Sequence, residues 1–291
     1  MALITDIIMS GLIGGSVYAL LAIGFSLIFG VARIVNIAHT AFYMLAAYCI
    51  YIVTQKMGFH PMWGMVVAIV LVTLLGLISY KVFIKPIREH EGAVLIATIA
   101  LAIAFQEIMA IIFTGTYLSV PSLIKGYLVI LGVKVFYQQL LTFCAALLIL
   151  VVLWAILMKT KLGLAIRSTA QDREVANLMG INEAQIAMIT MGVSVGLAAF
   201  TGAVVVPLTI LQPHMWLHPL IMMMAVVVLG GLGSLKGSFL GAFILGFAEA
   251  LVVFLAPMGA FLKGSVALSV MIVVLLIRPE GLFGISFEEE R

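Results

Sequence analysis

Residues 138–158 read QQLLTFCAALLILVVLWAILM, and the charged stretch KTKLGLAIRSTAQDREVANLMGINEAQ follows at residues 159–185. An apolar run of about 20 residues is long enough for a helix to cross the hydrocarbon core of a bilayer. The charged stretch has to leave the hydrocarbon, because ionised side chains are costly there. The two stretches together predict a membrane-spanning helix that ends in a charged loop outside the membrane.

The same pattern extends over the whole chain of 291 residues, of which 65% are hydrophobic and only 9% are charged. Soluble domains carry about 25% charged residues, so this chain could not cover a water-facing surface. We expect one all-α domain over residues 1–291, a polytopic helical bundle of eight or nine spans. The predicted spans lie near residues 5–30, 36–54, 62–84, 93–114, 138–158, 186–211, 217–232, 238–256 and 260–277. The run at 217–232 is short enough to be a half-span or a re-entrant segment.

Composition also argues against several classes of function. The net charge of +3 is too small to indicate a nucleic-acid partner. Cys49 and Cys144 both fall in apolar runs, so neither a disulfide framework nor a metal site is expected. The first apolar run begins by Ile4 without a basic segment before it and is too long for a signal peptide, so it is interpreted as the first span.

The basic residues predict an orientation. Cytoplasmic loops of membrane proteins carry an excess of Lys and Arg. If the N-terminus is outside, the cytoplasmic breaks hold most of the basic residues, namely Arg33, Lys81, Lys85, Arg88, Lys159, Lys161, Arg167, Arg173, Lys236, Arg278 and Arg291. The outer breaks then hold Lys56, Lys125, Lys134 and Lys263. This asymmetry predicts an outside N-terminus, a cytoplasmic C-terminus and an odd number of crossings.

The charged loop at residues 159–185 is therefore placed in the cytoplasm. Its segment 163–180 contains no proline and intersperses apolar with charged residues, which favours a short amphipathic helix that stops at Gly180. Such a helix would suit docking of a soluble ATPase: Ala176 would permit close approach, and Arg173 and Glu174 could pair with partner charges. From the residues alone, an ordinary solvated loop helix is the favoured interpretation.

Residues 174–180, EVANLMG, resemble the EAA-x-x-x-G loop of ABC importer permeases. Residues 160–172, TKLGLAIRSTAQD, are similar to the form of that loop in branched-chain amino acid permeases of the LivH type, the hydrophobic amino acid uptake family. In that family the loop docks in a groove of the ATPase subunit. The resemblance implies this role for Glu174, Ala176 and Gly180, and Val175 departs from the motif's middle alanine.

A second segment, residues 24–39, resembles the same family but departs from its usual form at residues 25–26 and 40–41. The segment predicts a span that ends in a glycine turn, followed by a new span that opens with Asn36 and His39. These two residues are three apart, so they would share a face of a helix. They are candidates for the translocation path, and a helix cap with an interfacial histidine is the alternative.

A third segment, residues 230–241, is rich in glycine but lacks the order of a phosphate-binding loop. The four-residue spacing of Gly233, Gly237 and Gly241 predicts close helix packing. This segment resembles the family's glycine-rich loop, and residues 278–284, RPEGLFG, resemble its C-terminal signature.

Two acids and a proline within apolar runs complete the candidates. Glu107 and Glu249 should face the protein interior, either in a translocation path or in hydrogen bonds between helices. For Glu107, which follows Gln106, we favour the hydrogen bond. Pro207 predicts a kink, a feature found both near transport paths and in ordinary membrane helices.

The resemblance implies a non-catalytic permease subunit of an ABC importer for leucine, isoleucine or valine, in the bacterial cytoplasmic (inner) membrane. Its implied partners are separate ATP-binding subunits, a related or identical second permease subunit, an external solute-binding protein and membrane lipid. No cofactor, metal or catalytic residue is expected. The alternatives are an ABC permease for urea or short amides, and a stand-alone secondary transporter that uses Glu107 or Glu249 to couple protons.

Overall fold

The structure is a computed structural model that describes residues 2–284. Arg291, counted above among the cytoplasmic basic residues, lies outside the described part. The helices are α1 Ala2–Ala32, α2 His39–Tyr51, α3 Pro61–Ser79, α4 Glu91–Phe113, α5 Tyr137–Lys159, α6 Lys161–Gln171, α7 Arg173–Leu178, α8 Glu183–Val205, α9 Leu217–Gly230, α10 Leu235–Leu255 and α11 Lys263–Ile277. Two strands, β1 Tyr127–Ile130 and β2 Val133–Phe136, form an antiparallel hairpin. Single π turns extend α2 over Ile52–Lys56 and α3 over Tyr80–Ile84, and short 3-10 turns cover Lys85–Ile87, Val206–Leu208 and Gly259–Leu262.

Within residues 2–284, seven helical segments are long and apolar enough to cross a membrane, which confirms a polytopic helical membrane protein. They are Leu3–Ala32, Pro61–Ile87, Glu91–Phe113, Tyr137–Lys159, Glu183–Leu208, Leu235–Leu255 and Gly259–Ile277. The other two predicted runs form the shorter helices α2 and α9. The break between the predicted spans 93–114 and 138–158 contains the β-hairpin, which the sequence had not indicated.

Contacts between chain segments define two ends of the bundle. At the end that carries α6 and α7, here named the loop end, Arg88 pairs with Glu183, and Gly30 approaches the carbonyl of Gly233. At the opposite end, named the hairpin end because it carries β1 and β2, the Lys56 ammonium lies 5.1 Å from the centre of the Phe113 ring. The apolar segments alternate in direction between these two ends.

The chain between α1 and α2 is not helical, although it enters the bundle from the exposed Arg33 to the buried Asn36 and Ala38. Arg33 adopts a left-handed conformation with φ of 52°, and residues 33–36 have no regular structure. The Ile37 N–H donates to the Thr98 hydroxyl of α4 over 3.3 Å, and that hydroxyl also lies 3.4 Å from the Val35 carbonyl oxygen. Non-helical backbone at membrane depth is tolerated where protein buries it. The predicted span at 36–54 is therefore an irregular entry followed by a helix that begins at His39.

The helices divide into a buried centre and a periphery. α1 and α8 are largely buried, and every residue of α2 except Cys49 and Tyr51 is buried. By contrast, α3, α4, α5 and α11 each expose an apolar face. In a membrane such faces contact lipid, so the arrangement places α1, α2 and α8 at the core and leaves the outer helices in the hydrocarbon.

Glycines let α1, α9 and α10 approach at backbone distance. A Cβ on Gly237 of α10 would overlap the carbonyl group of Gly230 in α9. On the other side of α10, a Cβ on Gly246 would lie 2.6 Å from the backbone nitrogen of Gly15 in α1. Small residues that allow helices to touch through their backbones are typical of membrane bundles.

Replacing Gly237 with alanine is expected to destabilise the protein, because backbone atoms of α9 would have to move. Overpacking of this kind costs roughly 1–3 kcal/mol. The measurement is the thermal unfolding midpoint in detergent. Gly264→Ala is the matched control, since Gly264 lies in the first turn of α11 with nothing within 4 Å of its added Cβ. Equal midpoints for the two variants would contradict the packing described here.

Candidate coupling surface and translocation path

The charged loop forms a compact tip of two helices, α6 and α7, where one helix was predicted. Asp172 separates them with an extended backbone and caps α7, its carboxylate accepting from the Val175 N–H over 3.0 Å. Thr160 caps α6 and Asn182 caps α8 by the same kind of hydrogen bond, also over 3.0 Å. Such caps contribute about 1 kcal/mol each, so three caps within one short segment hold the tip in a defined shape.

The four residues predicted to couple to an ATPase occupy different environments within the tip. Glu174 is exposed and Arg173 is half-buried. Gly180 has φ of 85°, a left-handed conformation that favours glycine, and its N–H donates to the Asn177 carbonyl. Ala176 is buried within the tip and its carbonyl accepts from the Ile181 N–H, so its role in close docking of a partner stays a prediction.

An apolar surface at the end of the tip was missed by the sequence reasoning. Leu178 and Met179 are 85% and 79% exposed, and Val175 beside them is also exposed. Apolar side chains grouped at an exposed surface mark contact sites for other proteins or for a membrane. The sequence does hold a signal for this surface: Leu178 and Met179 come directly before Gly180, where the helix ends and the chain changes direction.

One carboxylate joins the tip to two long helices. Glu183, the first residue of α8, lies 3.6 Å from an Arg173 nitrogen and 3.5 Å from an Arg88 nitrogen. Burial lowers the pKa of the Arg173 guanidinium, while the Glu183 carboxylate acts in the opposite direction. The positive charges of Arg33 and Arg88 lower that pKa further. The loop end therefore concentrates three arginines around a single acid.

The two path candidates of the second segment lie together in the middle of the bundle. Asn36 and His39 are fully buried, Asn36 in the irregular entry and His39 at the start of α2. They therefore do not share a helix face, but both meet α8. The Asn36 amide is 3.8 Å from the Met191 sulfur, and His39 Nδ1 is 3.2 Å from the Ser194 hydroxyl. We name these four residues the central polar cluster.

Glu249 belongs to a second cluster, nearer the hairpin end. Its carboxylate accepts from the Tyr18 hydroxyl over 2.6 Å and lies 3.2 Å from the Lys263 ammonium. His218 Nε2 lies 4.0 Å from the same carboxylate. Residues of four helices thus meet at one carboxylate, namely those of α1, α9, α10 and α11. Hydrogen bonds between helices were one of the two alternatives that the sequence left open for Glu249.

The remaining two candidates lie elsewhere. Pro207 sits in the 3-10 turn after α8, so it ends that helix and is not close to the central polar cluster. Glu107 is exposed on α4 and accepts a hydrogen bond from the Gln106 amide over 3.0 Å. The Gln106 oxygen in turn accepts from the Trp216 indole over 2.9 Å.

The glycines predicted to pack helices lie at the junction of α9 and α10. Gly237 and Gly241 are in α10, where the Cβ of a substituted Gly241 would be 2.9 Å from the Val226 carbonyl. Gly233 precedes α10 with φ of 80°, and a Cβ there would lie 3.6 Å from Gly30.

Fold and site together define a polytopic helical membrane protein with a charged, folded tip at one end. Residues 7–277 match the family described as branched-chain amino acid transport system / permease component, and the chain belongs to this family. The family is one of transport permeases, which makes the chain a transport subunit.

Relatives of similar length carry the same description. The chain is 31% identical to the high-affinity branched-chain amino acid transport system permease protein BraD of Pseudomonas aeruginosa, over 95% of this chain and 94% of the relative. It is 28% identical to LivH of Escherichia coli K12, over 94% of both chains. A solved structure, PsaBC from Streptococcus pneumoniae in complex with Fab, has a chain with a TM-score of 0.55 and 15% identity, covering 94% of this chain and 92% of that one. This last likeness concerns the fold alone.

Glu249→Gln is expected to lower the thermal unfolding midpoint in detergent, because it leaves the Lys263 ammonium without its carboxylate. Hydrogen bonds to charged groups contribute roughly 1.5–3 kcal/mol. Glu107→Gln is the matched control, since the Glu107 carboxylate is exposed and its Gln106 bond can be kept by an amide oxygen. A midpoint for Glu249→Gln no lower than that of Glu107→Gln would contradict this assignment.

Proposed function

We propose that this chain is the membrane permease subunit of an ABC importer that translocates leucine, isoleucine and valine, powered by ATP hydrolysis on separate ATP-binding subunits. The observation that carries the proposal is the family match over residues 7–277 together with the folded tip at the loop end. The relatives are named as branched-chain amino acid permeases, which favours these substrates over urea or short amides.

The proposed orientation places the loop end in the cytoplasm. Of the Lys and Arg side chains within residues 2–284, the loop end holds Arg33, Lys81, Lys85, Arg88, Lys159, Lys161, Arg167, Arg173, Lys236 and Arg278. The hairpin end holds only Lys56, Lys125, Lys134 and Lys263. This bias supports a cytoplasmic loop end. With α2 and α9 completing two further passes, the proposal has nine crossings, an outside N-terminus and a cytoplasmic C-terminus in the bacterial inner membrane.

In this orientation the tip is the docking surface for the ATP-binding subunit. The apolar surface formed by Val175, Leu178 and Met179 supplies contact area, and the exposed Glu174 supplies a charge at its side. Movement of the ATP-binding subunits during hydrolysis would move the tip, and α5 and α8 would carry that movement into the membrane, because the tip is continuous with both.

The proposed translocation path passes the central polar cluster. The surroundings of this cluster are apolar, which suits a branched aliphatic side chain, and its amide, imidazole and hydroxyl groups suit the charged ends of an amino acid. Glu249 and Pro207 lie between this cluster and the hairpin end. In the proposed orientation, the hairpin end would meet an external solute-binding protein. A second permease subunit, related or identical, and lipid would cover the apolar faces of the outer helices.

A stand-alone secondary transporter is the less favoured reading. Proton coupling by Glu249 would require its carboxylate to change partners, whereas Tyr18 and Lys263 both engage it. Glu107 is exposed on the outer face of α4, away from the buried centre. A proton-coupled transporter also offers no role for the folded tip.

Gly180→Pro is expected to abolish uptake while the protein still inserts in the membrane. Proline fixes φ near −65° and has no N–H, so it can neither adopt the conformation of Gly180 nor donate to Asn177. Uptake of labelled leucine by cells that express the partner subunits is the measurement. Gly180→Asn is the control, because asparagine tolerates a left-handed conformation. Normal uptake by inserted Gly180→Pro protein would refute the docking role.

Competition among labelled amino acids tests the substrate. We expect unlabelled isoleucine and valine to suppress leucine uptake by the assembled transporter, and urea or acetamide to leave it unchanged. Residual uptake is measured at a fixed excess of competitor. Suppression by urea or acetamide, with none by valine, would replace the branched-chain assignment by the amide alternative.

A further inference from the structure

We propose that the Glu183 carboxylate is the ionic link through which the tip drives the membrane helices, so that Glu183 sets how much transport results from each ATP hydrolysed. The inference rests on the proposed function and adds a positioning residue to it. Neither the loop motif at residues 174–180 nor the segments that resemble the family include Glu183.

The geometry of Glu183 joins three separate elements. Its carboxylate pairs with Arg173 at the start of α7 and with Arg88 just beyond α3, and it is itself the first residue of α8. Its backbone N–H donates over 3.2 Å to the Asn177 side-chain oxygen, which is a second contact to α7. A displacement of α7 therefore acts on the ends of α3 and α8 together.

The link is firmer than an ordinary surface ion pair. The Glu183 side chain is only 16% exposed, and those of Arg88 and Arg173 are about one-third exposed. Partial burial weakens screening by water and salt. Without the carboxylate, Arg88 and Arg173 would face each other as like charges with Arg33 nearby. Removal of the Glu183 charge should therefore make α7 and α3 repel each other, which is a larger effect than the loss of one attractive contact.

α8 connects this link to the central polar cluster. Ser194, which contacts His39, lies eleven residues along α8 from Glu183, about 16 Å at the helical rise. α3 moves with α8 because the two helices pack closely: a Cβ on Gly76 would lie 2.6 Å from a Val195 side-chain carbon. The same helix thus touches the tip at one end and the candidate path in its middle.

The experiment compares ATP hydrolysis with leucine uptake in proteoliposomes that hold this chain, its ATP-binding subunits and its second permease subunit, supplied with the solute-binding protein. We expect Glu183→Gln to leave the ATP-binding subunits bound and ATP hydrolysis within about twofold of wild type. Leucine transported per ATP should fall roughly 5–150-fold, the change that corresponds to losing a typical coupling free energy between two sites. Glu89→Gln is the matched control, an exposed carboxylate at the same end with no ion pair among the described residues.

A double-mutant cycle separates the ionic link from general destabilisation. Arg173→Gln and Arg88→Gln should each lower the amount of leucine transported per ATP. When either is combined with Glu183→Gln, the decrease should be smaller than the product of the two single decreases, because the partners act together. A purely structural role would reduce the amount of assembled complex and leave the ratio per complex unchanged.

The outcomes are distinct from those that test the proposed function. If wild-type protein neither binds ATP-binding subunits nor transports leucine, the proposed function fails. The ionic link is overturned, while the proposed function stands, if wild-type protein transports leucine and Glu183→Gln transports as much leucine per ATP as wild type. It is overturned equally if the effect of a double substitution equals the product of the two single effects.

Discussion

Inside the hydrocarbon of a bilayer, each backbone N–H and C=O must find its partner within the protein. Helices meet this requirement along their own axes, which is why most of residues 2–284 are helical. The irregular segment at residues 33–38 cannot do so. Beyond the exposed Arg33 it packs against α4 and α8: Thr98 of α4 meets the backbone of Val35 and Ile37, and the Asn36 amide lies near Met191 of α8. The central position of α2 follows, because a helix that begins inside the bundle must be surrounded by others.

This constraint explains how much the sequence could predict. Long apolar runs predict long helices, since an exposed backbone in lipid has no alternative, and all seven long helices were found in this way. The break before residue 36 was predicted, but the composition cannot reveal that residues 36–38 of the second predicted span are also irregular, because apolar residues fill buried irregular chain and helix alike. Asp172 was overlooked as a break because its capping role depends on an extended backbone that an uninterrupted amphipathic pattern does not suggest.

Contacts between distant residues were the least predictable part of the candidate site. Glu249 was recognised as costly in the membrane, but its partners Tyr18 and Lys263 come from helices far apart in the sequence. Arg173 pairs with Glu183 of its own chain, a contact that the sequence did not indicate, and its pairing with a partner protein stays a prediction. Charge at a loop is visible in sequence, whereas the choice of its counter-ion depends on which helix ends meet.

The bundle is held by two kinds of contact that differ in how easily they can move: glycine backbone contacts and ionic contacts. α1, α9 and α10 touch through glycine backbones, as at Gly237 and Gly246, and such contacts cannot slide without backbone overlap. The ionic contacts lie instead towards the ends, at Glu183 and Glu249, where partly exposed ammonium and guanidinium groups can exchange protein for water. These ionic contacts can therefore exchange partners, whereas sliding a glycine contact would require backbone atoms to overlap. A force applied at the tip should therefore rearrange helix ends while α1, α9 and α10 move as one body, and α8, which contacts both α1 and α3, lies where the two parts meet.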